Sequence, residues 1–287
     1  MSQLTVIVLT FNEENNIEDC LDSLQGIQAN LFVVDSFSND RTLEILKERE
    51  VTFVQHPFEN YARQRNWAQQ NVPFDTEWVL HLDAGERCTP ELVNWINTKF
   101  DANSTTDGYM FSRRTFFLNQ WIKWGGHYPN FHLRLYRKSK GRCEDKAYDQ
   151  HFVVEGRKEQ LPKGIDMIDV VTDTIYNFTV AHARWAEKEA EEQLSVQRDH
   201  GEVEAKVGGN AIERQRWLKS NLFERLPLFW RGFFYFIYRY FIRLGFLDGK
   251  AGLVFHFLQG FWFRFLIDSV IVEKQLMNHK GTKEHKV

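Results

Sequence analysis

Two acidic groups stand directly after apolar, strand-like runs. Asp35 closes residues 31–34 and is followed by Ser36 and Ser38; Asp83 closes residues 78–82 and leads into Ala84-Gly85-Glu86. A carboxylate at a strand end can accept hydrogen bonds from a nucleobase or ribose. Carboxylates beside a diphosphate, as Asp83 and Glu86 would be, hold Mg²⁺ or Mn²⁺, which bridges phosphate oxygens and neutralises a leaving group. The more ordinary role of either group is to start a polar turn, and it is the presence of both that favours ligand chemistry. Between them, Arg63, Arg65 and Asn66 share one short helical segment, residues 60–70. The forked guanidinium donors of the two arginines suit phosphate oxygens, although a solvated helical face would look the same.

These groups need a frame that brings strand ends together. Leu4 to Thr10 is a near-continuous apolar run, the pattern of a strand buried on both faces of a parallel sheet. Asn12 can cap a helix carrying Ile17, Leu21 and Leu24. A strand at 31–34, a helix opened by Asp40, a strand at 51–54, the helix at 60–70 and a strand at 78–82 follow. Pro90 then suits the first turn of another helix. This alternation predicts an α/β fold with a mostly parallel, doubly wound sheet, whose ligands bind beyond the carboxyl ends of the strands. Strands at 108–118 and 133–137 extend it as a mixed sheet, and 181–207 reads as a charged helix.

The chain has 287 residues, 43% of them hydrophobic, which is enough for one large domain with an appendix. A net charge of −3 argues against nucleic-acid binding driven by counterion release. The three cysteines form no CxxC pair, so neither a zinc site nor a disulfide framework is expected, and a reducing cytoplasm fits. The start, Met1-Ser2-Gln3-Leu4, has no basic region or cleavage site, so no signal peptide is expected. No uncharged apolar stretch reaches the roughly 18 residues of a membrane span. The 25 Phe and 9 Trp gather towards the C-terminus. There, helical spacing places Arg231, Arg239 and Arg243 on one side and Phe233, Phe234, Phe236, Ile237, Phe241 and Ile242 on the others. That pattern predicts an amphipathic helix lying on an anionic membrane surface. Asp248-Gly249-Lys250-Ala251-Gly252 breaks it, and a second apolar helix runs to about residue 272.

The sequence resembles glycosyltransferase family 2, with its GT-A fold, and most closely the members that build bacterial lipopolysaccharide and other cell-surface glycans. The matching pieces, in order, are Thr5-Val6-Ile7-Val8-Leu9-Thr10-Phe11-Asn12-Glu13-Glu14, Val33-Val34-Asp35-Ser36 with Ser38, Asp40 and Thr42, Gln64-Arg65-Asn66, and Leu82-Asp83-Ala84-Gly85-Glu86. Trp121 to Pro129, followed by Arg134-Leu135, looks like the family's acceptor-side segment. The resemblance implies a nucleotide-diphosphate sugar donor, with Thr10, Asn12 and Glu13 bordering the base pocket, Asp35 on the base or ribose and Arg65 facing the diphosphate. The family's metal motif is Asp-X-Asp, and here Gly85 takes the place of its second Asp. Either Asp83 and Glu86 share the metal, or metal binding is weak and Arg65 carries more of the phosphate charge.

Members of this kind invert the anomeric carbon, using a carboxylate as general base. Cys143-Glu144-Asp145 resembles the family's acidic pair, which makes Asp145 the first candidate, ahead of Glu144 and Asp149. Trp124 and His127, beside Gly125-Gly126, are candidates for an acceptor wall, since aromatic faces stack on sugar rings; core packing is an equal reading for Trp124. In several enzymes of this fold a late His reaches the metal, which would be His182, although a buried structural His is the more ordinary reading.

The expected organisation is a catalytic domain over 1–208, divided into a nucleotide-sugar half (1–107) and an acceptor half (108–208), then a membrane-associating helical region over 209–287. The expected activity is inverting, hexosyl-type transfer to a glycan or lipid-linked glycan, at the cytoplasmic face of the membrane as a peripheral protein. A sugar nucleotidyltransferase would need a Gly-rich loop after the first strand, where Phe11-Asn12-Glu13-Glu14 stands. A non-catalytic sugar-binding or scaffold protein is the alternative, and Gly85 gives it weight.

Overall fold

The computed structural model describes residues 3–145, 150–172, 174–195, 206–209 and 211–284. The chain runs β1 (Leu4–Thr10), α1 (Ile17–Asp22), β2 (Asn30–Asp35), α2 (Thr42–Glu48), β3 (Phe53–Gln55), α3 (Tyr61–Gln70) and β4 (Trp78–Asp83). Then follow β5 (Glu86–Cys88), α4 (Pro90–Thr98), β6 (Gly108–Phe117), β7 (Gln120–Ile122), β8 (Phe131–Arg137), β9 (Gly141–Cys143), β10 (Phe152–Val154), β11 (Lys158–Gln160) and β12 (Asp166–Thr172). The remaining α-helices among the described residues are α5 (Ile175–Leu194), α6 (Ala211–Asn221), α7 (Trp230–Ile237), α8 (Gly249–Phe255) and α9 (Phe263–Glu284), with short 3-10 or π-helical segments between the later ones.

β1 is parallel to β2 and to β4, and β2 is parallel to β3. The sheet order is β3-β2-β1-β4-β8-β6-β12-β5, with β8 antiparallel to β4 and β6. This is the expected α/β sheet, parallel in the first half and mixed beyond it. Every residue of β1 is buried, because helices cover both faces of the parallel part. Val6, Val8, Val33, Leu80 and Leu82 pack with Ile17, Leu46, Leu92 and Trp95 in one core. Helix starts follow local chemistry: Asn60 caps α3 by accepting from the Arg63 amide, and Thr89 caps α4 with Pro90 in its first turn.

The chain divides into two compact units, the last change from one to the other falling at residue 170. The first holds residues 1–115, 129–146 and 150–170, and the second 116–128, 147–149 and 171–287. The cause is α5, which begins at Ile175 and packs Ala186 and Ala190 against Phe263, Ile267 and Ile271 of α9. The described part of the charged helix expected over 181–207, which ends at Leu194, therefore belongs with the C-terminal helices; residues 196–205 lie outside the described residues.

Within the second unit the helical expectation needs two corrections. Arg231 and Arg239 do not face outwards, each being only 3% exposed. Burial is stabilised by partners that sequence spacing cannot reveal. Arg231 pairs with the fully buried Asp268, and Arg239 donates to the Gly125 carbonyl and to Gln259. Secondly, one helical stretch, Gly245–Met277, is long and apolar enough to cross a membrane by length and composition, with 39% of its most apolar window buried within the protein. The expectation of none rested on requiring an uncharged stretch.

Candidate active site

The carboxyl ends of β1 and β2 lie side by side, with Thr10 in register with Asp35. Thr10 is buried, and its hydroxyl has no hydrogen-bond partner among the described residues. Asn12 does not cap α1; it adopts a positive φ of 53° and ties two loops together. Its amide donates to Ser38 Oγ at 2.8 Å and its Oδ1 accepts from the Asn39 amide at 2.9 Å. Next to it, the Glu13 amide donates to Thr42 Oγ1 at 2.9 Å, and Glu13 Oε2 accepts from Asn16 Nδ2 at 2.8 Å.

Asp35 is wholly buried and committed to this lacing. It accepts from the Ser38 amide at 2.9 Å, from the Ser38 hydroxyl and from Gln55 Nε2 at 3.0 Å. A carboxylate has about four acceptor positions, so little of Asp35 is left for a ligand. It shapes the loop rather than presenting a free edge. What the laced loops do present is aromatic: Phe11 and Phe37 are each 55% exposed. Phe37 sits at φ 63°, costly for a bulky side chain, and the Ser38–Asp35 bonds hold the turn that requires it. Phe58 and Tyr61, edge-to-face at 5.1 Å, are exposed after β3. Sequence reasoning gave these rings no role, although Phe11 and Phe37, placed one and two residues beyond a strand end, were a legible signal.

At the end of β4 the structure gathers Arg65, Asp83 and Glu86 as expected, and adds Arg113, Arg134 and Asp169. Arg65 Nη2 donates to both Asp83 oxygens, at 2.9 and 3.2 Å. Arg134 Nη2 donates to Glu86 Oε1 at 2.6 Å and lies 3.6 Å from Asp83. Arg113 lies 3.4 Å from Asp169 and 4.0 Å from Glu86. Phe152 lies beneath the Arg65 and Arg134 guanidiniums, 5.4 and 5.5 Å from its ring centre. Burial acts to raise the Asp83 carboxyl, but Arg65 and Arg134 outweigh it and hold the group at about 2. Burial pushes the Glu86 carboxyl upwards; Arg134 opposes this, and Asp83 and Asp169 add to it.

This donor set does not fit a resident divalent ion. Such an ion needs several charged or polar oxygens free to converge on it. The Glu86 side chain is 3% exposed, with one oxygen on Arg134 and the other accepting from the Asp83 amide at 2.9 Å. Both Asp83 oxygens are engaged by Arg65, and only its side chain, 34% exposed, reaches the surface. Among the described residues no three His, Cys, Asp or Glu side chains gather as a metal-holding group. The expected sharing of a metal by Asp83 and Glu86 is thus not met here, because three arginines already compensate the carboxylates. At Gly85 an added Cβ would make only ordinary contact, 3.5 Å from the Val170 carbonyl, so space is not what excludes a side chain there.

α3 joins this cluster to the candidate base. Asn66, next to Arg65, donates to the Cys143 carbonyl and accepts from the Cys143 amide, both at 2.8 Å. One turn on, Gln69 donates to the carbonyls of Lys138 and Gly141. The β9–β10 hairpin held this way leads into Glu144 and Asp145. Glu144 is buried and accepts from the His151 amide at 2.9 Å. Asp145 is exposed, and Asp149 lies outside the described residues.

Trp124 and His127 belong to the second unit. Trp124 is 39% exposed, whereas His127 packs edge-on to Phe255 at 4.7 Å, its Nε2 3.3 Å from Gln259 Oε1. Their loop is fastened to the C-terminal helices by Asp248, whose carboxylate accepts from the Lys123 amide at 3.2 Å and the Trp124 amide at 2.9 Å. Gly125, at φ 69°, lies against the His256 ring, which a Cβ would strike. His182 is buried; its Nδ1 meets the Phe178 carbonyl at 2.8 Å and its ring stacks on Phe178 at 3.7 Å.

Comparison with known proteins adds a lineage to this geometry. The model of the family described as Glycosyl transferase family 2 matches residues 5–152. An uncharacterized glycosyltransferase of Rickettsia typhi is 31% identical over 110 residues, covering 38% of this chain and 37% of that relative. One from Rickettsia bellii is 31% identical over 108 residues, covering 38% and 36%. The chain thus spans little more than a third of the length of these relatives. Among solved structures, S. aureus TarS 1-349 in complex with UDP-GlcNAc is 14% identical with a TM-score of 0.43, covering 96% of this chain and 92% of that one. Glucosyl-3-phosphoglycerate synthase from Mycobacterium tuberculosis, in complex with Mn²⁺, UDP and product, is 18% identical with a TM-score of 0.33, covering 40% and 44%. The family match takes in both strand-end clusters, the arginine helix and the Glu144-Asp145 pair, and covers more than half of the chain: this protein belongs to glycosyltransferase family 2.

Proposed function

We propose that the chain moves a hexosyl group, with inversion, from a nucleotide-diphosphate sugar to a glycan or lipid-linked glycan acceptor in bacterial cell-surface polysaccharide synthesis, lipopolysaccharide included. The supporting observation is that α3 carries Arg65 against Asp83 and Asn66 against the strand leading to Glu144-Asp145. One rigid element thereby spaces a phosphate-suited guanidinium from a carboxylate pair. Thr10, Asn12, Glu13 and the exposed Phe11 and Phe37 border the base, with Asp35 holding their loops. Arg65 meets the diphosphate, and Trp124 and His127 serve the acceptor side. Asp145 takes the proton of the acceptor hydroxyl as its oxygen bonds to the anomeric carbon and the nucleoside diphosphate departs with the electrons of the breaking bond. The Mg²⁺ or Mn²⁺ expected at Asp83 and Glu86 has no part in this reading, because Arg65 and Arg134 engage those carboxylates. The protein works at the cytoplasmic face of the membrane, peripherally.

A thermal-shift screen of UDP-, GDP-, CMP- and dTDP-sugars, with and without Mn²⁺, tests the reading. Stabilisation by one nucleotide class, followed by release of its nucleotide on adding acceptor glycan, is the expected result. No stabilisation by any of them overturns it. The arginine-compensated Asp83 and Glu86 also favour a second reading, a sugar-binding protein without turnover; stabilisation with no hydrolysis or transfer under any condition would establish that one.

A further inference from the structure

We infer that the second unit seats itself in the headgroup layer of a lipid bilayer by inserting aromatic rings, not by electrostatic attraction to anionic lipid. The inference rests on the membrane-side placement proposed above and replaces its expected mechanism. Interfacial helices ordinarily turn their cations outwards and their rings towards lipid or core. Here the cations best placed for that role are internal. Arg231 Nε donates to Asp268 Oδ1 at 2.7 Å, and Arg239 donates to the Gly125 carbonyl at 3.1 Å. The rings are external: Trp230, Phe233, Phe234, Tyr238, Phe241 and the neighbouring Ile242 are all exposed, Trp230 by 59% and Ile242 by 66%. With these cations turned inwards, the exposed rings form an apolar outer surface that is unfavourable in water. Such a surface suits a unit whose outer surroundings are hydrocarbon.

The charge that remains at this surface identifies the occupant. Between residues 225 and 272 the only carboxylates are Asp248 and Asp268, both buried. The exposed charged side chains there are Arg225, Arg243 and Lys250, all cationic. Apolar rings rimmed by cations match acyl chains capped by phosphates. A second copy docking through the same face would instead set like charges against each other. The unit also lies in the layer rather than crossing it. The last helix of the apolar stretch Gly245–Met277 is backed by α5, whose Glu187, Lys188 and Glu191 are exposed. A helix pair carrying those charges does not enter hydrocarbon.

Flotation of the full chain with vesicles of pure phosphatidylcholine, and of phosphatidylcholine with phosphatidylglycerol, at low and high salt, tests this. The expected result is partition into both, with salt changing either by less than about tenfold. Phe233→Ser with Phe241→Ser should lower partition into neutral vesicles on the order of a hundredfold. Arg243→Gln with Lys250→Gln should leave it within about threefold. An unchanged melting temperature and nucleotide-sugar stabilisation in both variants establish that they are folded. Binding only to anionic vesicles, abolished by salt, overturns the insertion mechanism and leaves the membrane placement standing. No binding to either vesicle, with or without self-association of the chain, overturns both, and leaves the sugar-transfer reading to its own screen.

Discussion

Asn66 closes two hydrogen bonds of 2.8 Å on the backbone of Cys143, from the residue that follows Arg65 on α3. The helix thus fixes the strand before Glu144 from one side chain while the preceding one grips Asp83. Asn66→Ala should lower the melting temperature, since two part-buried hydrogen bonds are worth about 1–3 kcal/mol together. Transfer should slow while nucleotide-sugar affinity stays near wild type. Asn66→Asp, which keeps the acceptor for the Cys143 amide, should lie between. Calorimetric melts beside donor titrations check this, and an equal loss of affinity and rate in Asn66→Ala would refute the separation.

Asp145 and Glu144 differ in surroundings as well as position. Glu144 is buried against His151, whereas Asp145 is exposed. Asp145→Asn should reduce kcat by about 10²–10⁴-fold with donor binding intact, as expected for loss of a general base. Glu144→Gln should act chiefly on stability, because it weakens the acceptor facing the His151 amide. Steady-state kinetics and melts of the two variants decide it; a dead Glu144→Gln beside an active Asp145→Asn reverses the assignment.

Removing metal should matter little. With Asp83 and Glu86 engaged by Arg65 and Arg134, donor affinity in EDTA and in Mn²⁺ should differ by less than about tenfold, or 1.4 kcal/mol. Arg65→Ala should weaken donor binding in both conditions. Gly85→Asp, whose Cβ would make only ordinary contact, should introduce a dependence on Mn²⁺. Isothermal titration with the nucleotide-sugar found by screening measures all three, and strong Mn²⁺ dependence in the wild type would contradict the reading of the arginine cluster.

Acid should unfold the second unit through His182. Burial lowers its pKa from 6.5 to about 4, against the opposing pull of the Phe178 carbonyl. The folded state therefore binds fewer protons than the unfolded one. The stability this supplies is complete above pH 6.5 and lost as the pH falls towards 4, on the order of 3 kcal/mol in all. Melting temperatures between pH 7 and 4.5 should fall less steeply in His182→Leu, whatever that variant loses at pH 7. Parallel slopes in the two proteins would exclude His182 as the sensor.

The parallel half of the sheet was readable because each strand is a short apolar run ending in a polar residue. β1 was expected at its observed bounds, and β2 and β4 within a residue or so. The grouping of Arg65 with Asp83 and Glu86 was also legible, since all three follow from chain order in such a sheet. Arg113 and Asp169 were not, because they arrive from β6 and β12, whose pairing is set by tertiary contacts rather than local pattern. Arg134 was noticed only as part of a motif. Arg231 and Arg239 were misplaced for a related reason: helical periodicity assigns a face but does not say whether that face meets water or a buried partner such as Asp268.

The contact of Gly125 with His256 ties two distant stretches of sequence into one heritable unit. No side chain can appear at position 125 unless the imidazole retreats, and a larger ring at 256 would displace the loop carrying Trp124. Evolutionary change at position 125 therefore requires paired substitutions, with the helix carrying His256 altered first to make room.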